Sequence, residues 1–467
     1  MSAPNLILLG IDTLRADHLS AYGYGRGTSP HLDRLAKEGA LFVNHFSPSI
    51  PTTPGYASML TGKDCFGTGV VALRHAGDLA EGAVTLAEVL KTQGYRTICV
   101  GFDKNPAARG FDTYVSYESW HPDPVTGRAP KAEALNRVVV PLLDELAQHS
   151  DPFFLFLRHM DPHSPYLPPT PFDRLFYHGN ERDPANHSLD PVLGFTPFGD
   201  FFRSWFPPGV TDAEYINSQY DGAIAYLDVN IAVLMTALRH HHLDEDSVIG
   251  VTSDHGESLL EHECYYDHHG LYESTLRVPL ILRYPKAVPR GFRTLRYSEA
   301  KDVMPTLLTV MGITANMPFD GRNLAAEWQQ GAEAGASAPS EFYLTEATWM
   351  RKHGWRTPEW KLIRALEPDF HFKPAVELYD LVADPGESTN LADSRADVVN
   401  RLTDRMEAHI ARRVEETGRP NPMLTTLAWH GLDRGPFVSS EEAYRTLHIG
   451  SIQAARQLQD RAKEESS

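Results

Sequence analysis

The stretch Val251-Thr252-Ser253-Asp254-His255-Gly256-Glu257 decides the fold, because it predicts a buried strand that ends in a turn carrying a carboxylate and an imidazole. The preceding run Val248-Ile249-Gly250 is short and apolar, as a parallel strand covered on both faces requires. Open α/β sheets bind ligands at the carboxyl ends of such strands. Asp254 and His255 are therefore candidate ligands of a divalent metal, and a solvated turn is the alternative.

Two further apolar runs end in polar side chains. Leu6 to Ile11 predicts a strand, and Asp12 follows it directly, as a ligand or as an ordinary turn residue. Phe153-Phe154-Leu155-Phe156-Leu157 predicts a strand that opens into a loop containing Asp161 and His163. This loop is a candidate ligand or anion-binding cluster, with solvated loop residues as the alternative.

Thr52 lies in a loop rich in Pro, Ser and Thr, ahead of a predicted helix that ends at Gly62. The N-terminus of a helix is the positive end of its dipole and favours anions. A threonine hydroxyl at that position can cap the helix or act as a metal-activated nucleophile.

Composition narrows the class of partner. The chain has 467 residues and a formal net charge of −18, which argues against nucleic acid or an anionic membrane as the main partner. The three cysteines are odd in number and widely spaced, so they predict no disulfide framework. The first residues lack a basic region and a long apolar run, and we therefore expect a cytoplasmic protein.

Asp12, Thr52, Asp254 and His255, in this chain order, resemble the alkaline phosphatase superfamily, sulfatase branch. The similarity extends over nearly the whole chain, through residues 11–17, 29–39, 54–62, 253–257, 271–280 and 377–391. The resemblance implies an α/β fold, with a large mixed, mainly parallel sheet sandwiched by helices and a smaller C-terminal α+β subdomain.

We expect four regions along the chain. A catalytic α/β domain spans residues 1–324 and contains a long insertion, or lid, over 171–210. A connection rich in Ala, Gly and Ser covers 325–340, and a small-sheet subdomain covers 341–420. A C-terminal extension over 421–467, with a helical tail near 452–463, is a candidate for homo-oligomer formation.

The departures from the sulfatase pattern concern the nucleophile. Formylglycine sulfatases carry Cys or Ser, then a residue, Pro, a residue and Arg, whereas the matching positions here are Thr52, Pro54 and Tyr56. Threonine cannot become formylglycine. Lys104 stands near the place of the sulfatase Gly-Lys-Trp-His stretch, and His255 replaces the Asn of many sulfatases. Thr with His resembles the phosphodiesterases, phosphonate monoester hydrolases and phosphoryl-group transferases of the superfamily.

The resemblance implies one divalent metal held by Asp12, Thr52, Asp254 and His255. Oxygen and imidazole ligands favour manganese or zinc, with magnesium or calcium as alternatives. A metal-activated Thr52 would attack phosphorus and form a covalent phospho-threonine that water then hydrolyses.

The remaining candidates supply positive charge or contact the substrate. His163, His268 and His269 are candidate catalytic residues, since an imidazole can donate a proton to a leaving oxygen. Tyr56, Lys104 and Asp161 are candidate substrate contacts. Alternatively, Asp161, His163 and His269 hold a second metal.

The sequence therefore predicts a hydrolase of phosphate mono- or diesters or of phosphonate monoesters, acting on a small anionic ester through Thr52. The alternatives are a sulfate-ester hydrolase that uses unmodified threonine, a phosphoryl transferase, and a non-catalytic anion binder. The organic part of the substrate stays open.

Overall fold

The computed structural model describes residues 3–425 except 74, 76, 121, 124–125, 196–197, 330–339, 349, 367–368 and 370. The strands are β1 (Asn5–Ile11), β2 (Ala40–Phe46), β3 (Ser49–Ile50), β4 (Arg96–Val100), β5 (Thr113–Val115), β6 (Phe153–His159), β7 (Ser247–Thr252), β8 (Leu280–Arg283), β9 (Phe292–Glu299), β10 (Phe342–Ala347), β11 (Arg351–Arg356), β12 (Trp360–Ala365) and β13 (Val376–Asp380).

The α-helices are α1 (Pro30–Glu38), α2 (Thr52–Thr61), α3 (Cys65–Thr68), α4 (Leu86–Thr92), α5 (Lys131–Leu146), α6 (Asp190–Gly194), α7 (Gly199–Trp205), α8 (Ala213–His240), α9 (Glu273–Leu276), α10 (Val303–Val310), α11 (Ala326–Gln329), α12 (Ala396–Thr417) and α13 (Pro422–Thr425). Short 3₁₀ helices lie at Ala16–His18, Ser20–Tyr22, Pro106–Ala108, Phe172–Arg174, Glu261–Glu263 and Ala300–Asp302.

The large sheet has the order β5-β4-β6-β1-β7-β8-β2-β9. Neighbouring strands from β5 to β7 are parallel, and β8 runs antiparallel to β7 and β2. This mixed, mainly parallel sheet confirms the predicted fold class. Gly10 of β1 pairs with Arg158 of β6 on one side and Thr252 of β7 on the other. The carboxyl ends of three central strands therefore meet at one edge of the sheet.

Helices cover both faces of the large sheet, because alternate strand residues enter different cores. Ile7, Leu9 and Ile11 pack with residues of α1, α5 and α8. Leu6 and Leu8 pack on the opposite face with residues of α2, α4 and α10.

Helix α8 is the longest helix of the described chain. It is apolar and long enough to match a membrane span, but 72% of its most apolar window is buried inside the fold. That burial is typical of a core helix that supports a large sheet.

A second sheet has the order β13-β12-β11-β10-β3. Strand β3 precedes the nucleophile candidate Thr52 by two residues and pairs in parallel with β10 through Ser49 and Thr345. Helix α12 packs on this sheet through Val398, Leu402 and Met406. The small sheet is therefore attached directly to the segment that leads into α2.

The insertion over residues 171–210 contains α6 and α7. Phe202, Trp205 and Phe206 are buried in the α8-side core, while Phe201 is 37% exposed. Most of this aromatic cluster is thus local core. The predicted C-terminal helix near 452–463 and the proposed oligomer contact through the extension lie outside the described residues, as does most of the 325–340 connection.

Candidate functional site

Asp12, Asp254 and His255 meet at the carboxyl edge of the large sheet. Asp12 follows β1, and Asp254 and His255 follow β7, which is the next strand. One ligand atom from each residue lies within 4.8 Å of the others. His255 Nε2 is 3.7 Å from Asp12 Oδ1 and 3.5 Å from Asp254 Oδ2. The structure therefore brings these three predicted ligands together.

The tautomer of His255 follows from its hydrogen bonds. Its Nδ1–H donates to the Gly256 carbonyl at 2.8 Å, so Nε2 carries a lone pair toward the carboxylates. Burial lowers the pKa of His255 to about 3, which keeps the imidazole neutral. A neutral imidazole whose other nitrogen is bound to a carbonyl is the form that ligates metals.

Thr52 is the first residue of α2, and its Oγ1 lies 3.1 Å from His255 Nε2. Helix α2 approaches the turn after β7 closely, because a Cβ on Gly55 would come within 2.5 Å of the Asp254 carbonyl oxygen. Glycine at this position therefore allows the helix to lie close enough to bring Thr52 next to the ligand cluster.

The cluster fits a divalent cation. Asp12 Oδ1 and Asp254 Oδ2 are buried and have no hydrogen-bond partner among the described residues. Burial, and next the charge of Asp12, raise the pKa of Asp254 well above its usual range. Burial also acts on Asp12, but Arg158 and nearby imidazoles hold the pKa of that carboxyl well below its usual range. A cation between the two orphaned oxygens would remove this conflict.

Arg158, which sequence reasoning missed, reaches the same cluster from the end of β6. Its Nη2 donates to Asp12 Oδ2, which leaves Asp12 Oδ1 facing His255. The signal in the sequence was an arginine that directly follows the apolar run Phe153–Leu157. Arg158 comes close to Asp12 because it pairs in register with Gly10, two residues before Asp12. The sequence alone does not show that β6 lies next to β1, so it could not predict this contact.

His268 lies beside the cluster, with its ring centroid 4.5 Å from that of His255 and the two rings tilted by 38°. Its Nδ1 faces Asp267 Oδ1 at 3.1 Å and Glu257 Oε2 at 3.6 Å, so Nε2 points away from both carboxylates. Burial works against protonation, but Asp267 and then Glu257 raise the pKa of His268 to about 9. The two carboxylates thus favour the protonated form of His268, beside the candidate metal site.

His163 lies next to His268, at a centroid separation of 5.8 Å. Its Nδ1–H donates to the Ser164 carbonyl at 2.6 Å, which leaves Nε2 free for a ligand. Burial lowers the pKa of His163. Buried Lys131 holds this loop by donating from Nζ to the carbonyls of His163 and Pro165, and sequence reasoning missed this role.

His269 and Asp161 serve other contacts. His269 is fully buried between Asp267, 3.0 Å from Nε2, and Glu346, 3.4 Å from Nδ1. Asp161 Oδ2 accepts the backbone N–H of Ala132 and so caps α5. Asp161, His163 and His269 are not among the candidate metal clusters of the described residues, so the structure gives no support to the second-metal alternative.

Tyr56 and Lys104 lie apart from the ligand atoms. Tyr56 is fully buried, with its ring 4.7 Å from Phe102 and 5.5 Å from Phe156. Its hydroxyl has no hydrogen-bond partner among the described residues. Lys104 is exposed in the loop after β4 and forms no ion pair with the described residues. Direct contact of either residue with a substrate therefore stays a prediction.

Comparison with known proteins identifies the family of this chain. The family model described as "Sulfatase" matches residues 4–313, and that described as "N-sulphoglucosamine sulphohydrolase, C-terminal" matches residues 261–412. The chain is 27% identical to iduronate 2-sulfatase of Homo sapiens over 335 residues, which is 61% of this chain and 60% of that protein. The chain thus spans about three fifths of that relative's length.

A multifunctional alkaline phosphatase superfamily protein of Trinickia caryophylli is 23% identical over 407 residues, covering 69% of this chain and 77% of that protein. The crystal structure of phosphonate monoester hydrolase of Agrobacterium radiobacter superposes with a TM-score of 0.68 at 21% identity, over 88% of this chain and 96% of that chain. That likeness shows the shared fold. The chain belongs to the sulfatase family.

Proposed function

We propose that the protein is a metal-dependent hydrolase of phosphate esters or phosphonate monoesters, with Thr52 as the covalent nucleophile. The observation that carries this proposal is the position of Thr52 Oγ1, 3.1 Å from His255 Nε2 at the N-terminus of a buried helix. A threonine that only capped α2 would not need, beside it, two carboxylates that each keep one oxygen without a partner among the described residues, and an imidazole nitrogen with a free lone pair.

Asp12, Asp254, His255 and Thr52 would hold one divalent metal, which would lower the pKa of the threonine hydroxyl and neutralise charge on an ester oxygen. The oxygen and imidazole donors suit manganese or zinc best, and magnesium or calcium less well. Arg158 keeps Asp12 Oδ1 turned toward His255 by binding the other carboxylate oxygen. Hydrogen bonds to a ligand residue from groups that do not touch the metal orient that ligand in many proteins.

In the first step, Thr52 Oγ1 attacks phosphorus in line and gives up its proton to solvent as the new P–O bond forms. The bond from phosphorus to the leaving oxygen breaks, and that oxygen takes a proton from His268 Nε2. Asp267 and Glu257 support this role, because they face Nδ1 and keep the imidazole protonated until substrate arrives.

In the second step, water attacks phosphorus and the bond to Thr52 Oγ1 breaks. The attacking water gives a proton to His268 Nε2, and Thr52 recovers a proton from solvent. The backbone N–H groups at the start of α2 stabilise the anion in both steps, since they lie at the positive end of the helix. His163 would contact an ester oxygen through Nε2, because its Nδ1–H is bound to the Ser164 carbonyl.

A sulfate-ester hydrolase that uses unmodified Thr52 is the second candidate. Its support is the family comparison, because the matching family models and the human relative all carry sulfatase names. The same residues would hold the metal and supply the nucleophile for a sulfate ester as for a phosphate ester. A phosphoryl transferase and a non-catalytic anion binder have no specific observation in their favour.

A panel of matched aryl esters tests the proposal. Metal-loaded wild type and Thr52→Ala would be compared on an aryl phosphate monoester, a phosphodiester, a phosphonate monoester and a sulfate ester. Thr52-dependent cleavage of a phosphorus ester supports the first candidate, and dominant sulfate release supports the second. Full activity in Thr52→Ala would exclude Thr52 as nucleophile in either case.

A further inference from the structure

Arg158 lies on the same face of the large sheet as the nucleophile helix. Along β6, Phe154 and Phe156 belong to the core that contains α2, and Arg158 continues this alternation at the end of the strand. Tyr56 of α2 packs over the neighbouring strand, where a Cβ on Gly10 would come within 2.7 Å of its ring. The guanidinium is therefore on the side of the sheet from which Thr52 enters the site.

The guanidinium is fixed on two sides. Nη2 donates to Asp12 Oδ2, and the guanidinium carbon lies 5.2 Å from the centroid of the Phe102 ring. The Tyr117 hydroxyl donates to the Arg158 backbone carbonyl at 2.7 Å, which holds the end of the strand. An arginine held in this way loses little further rotamer freedom when it binds a ligand.

Part of the guanidinium remains free. Nη1 makes no hydrogen bond with the described residues, Nε has no partner there either, and 13% of the side chain is exposed. Among the described residues, Asp12 is the one acidic partner of Arg158, and it binds only Nη2. Helix α2 supplies no cation here, because position 56 is a buried tyrosine. Arg158 is thus a preorganised donor beside the candidate metal ligands.

We propose that Arg158 binds a non-bridging oxygen of the substrate's tetrahedral anion, through the guanidinium donors that Asp12 leaves free. A guanidinium matches phosphoryl and sulfuryl oxygens better than an ammonium does, because it presents several N–H donors in one plane. This inference rests on the proposed function, since it assigns a substrate contact within the same site.

The test measures inorganic phosphate binding to the metal-loaded protein by calorimetry, without any turnover. Arg158→Gln is expected to raise the Kd for phosphate by about 10- to 100-fold, as loss of a hydrogen bond to a charged group does. Arg283→Lys is the matched control, because Arg283 is also a buried, ion-paired arginine but lies at β8, paired with Glu38. Its phosphate affinity should equal that of wild type.

Guanidinium rescue tests whether the guanidinium group itself restores phosphate affinity, and bound manganese measured in parallel reports an effect through Asp12. Free guanidinium at millimolar concentration should restore phosphate affinity to Arg158→Ala and leave wild type unchanged. If the neutral variants do not fold, Arg158→Lys replaces them, and its affinity should fall about tenfold because a donor is lost. An unchanged phosphate Kd in the folded variants would overturn the inference. The inference would also be overturned if the variants lost phosphate binding only to the extent that they lost bound manganese.

The two proposals fail separately. If wild type cleaves no ester, the proposed function fails, and phosphate binding still decides the role of Arg158. If Thr52-dependent cleavage persists in Arg158→Gln with an unchanged KM and phosphate Kd, only the role of Arg158 fails.

Discussion

Thr52 Oγ1 and His255 Nε2 lie 3.1 Å apart although 203 residues separate them in the chain. The contact joins the N-terminus of α2 to the turn after β7. It needs the close approach that Gly55 allows and the His255 tautomer that the Gly256 carbonyl fixes. The helix, the turn and two carboxylate oxygens without a partner among the described residues, Asp12 Oδ1 and Asp254 Oδ2, form one unit whose geometry suits a metal-activated hydroxyl.

Metal binding should stabilise the fold. Saturating manganese at about 100 times its Kd is expected to add about 2.7 kcal/mol to the free energy of unfolding. Asp254→Asn should remove most of this gain, and without metal it should be at least as stable as wild type, because a neutral amide replaces a carboxyl whose ionisation burial and Asp12 disfavour. Thermal unfolding with manganese or with chelator measures both effects. A full manganese shift in Asp254→Asn would contradict the ligand assignment.

Gly55→Ala should separate folding from activity. The added methyl would meet the Asp254 carbonyl oxygen at 2.5 Å, so α2 must move away from the turn that follows β7. We expect kcat/KM to fall by about 100-fold, as small displacements of reacting groups do. Gly194→Ala is the control, because a Cβ at Gly194 would have nothing within 4 Å. Equal kinetics of the two variants would show that close packing at Gly55 is not needed.

His268→Gln should lower kcat for ester cleavage by an amount that depends on the leaving group. If His268 protonates the leaving oxygen, alkyl esters should lose about 10²- to 10⁴-fold in kcat, while aryl esters with acidic phenols lose much less. A series of phenyl esters with graded substituents measures this dependence. A uniform loss across the series would assign His268 to anion binding instead of proton transfer.

Lys131→Met should loosen the His163 loop. Lys131 Nζ is buried and donates to the carbonyls of Met160, His163 and Pro165. Loss of these bonds leaves buried carbonyls unpaired, at a cost of about 2–4 kcal/mol in the free energy of unfolding. We also expect a lower kcat/KM at temperatures where the variant is folded. Lys37→Met, at an exposed position of α1, is the control, and equal stability of the two variants would refute the role of Lys131.

The sequence predicted the ligand cluster because its members directly follow strands. Asp12, Asp254 and His255 stand after apolar runs, and the carboxyl ends of parallel strands meet at one edge. Arg158 also follows such a run, but its part in the site depends on which strand lies next to β6. That pairing is a long-range choice that local patterns do not encode.

Loop side chains were harder to assign. Asp161, His163 and His269 are all chemically suited to bind a metal, and spacing along the chain does not show which way each side chain points. In the structure Asp161 accepts a hydrogen bond from the N-terminus of α5, and His269 lies between Asp267 and Glu346. The sequence likewise predicts a lid over 171–210, whereas in the structure Phe202, Trp205 and Phe206 belong to the same buried core as α8.

The measurement that tests the central claim most directly is mass spectrometry of the protein after rapid acid quenching during turnover. Metal-loaded wild type would be mixed with an aryl phosphonate or phosphodiester, quenched within one turnover and digested. We predict a phosphorus adduct on the peptide that contains Thr52, absent from Thr52→Ala and from protein without substrate. Burst release of the aryl alcohol with no adduct on Thr52, or with the adduct on another residue, would contradict the account.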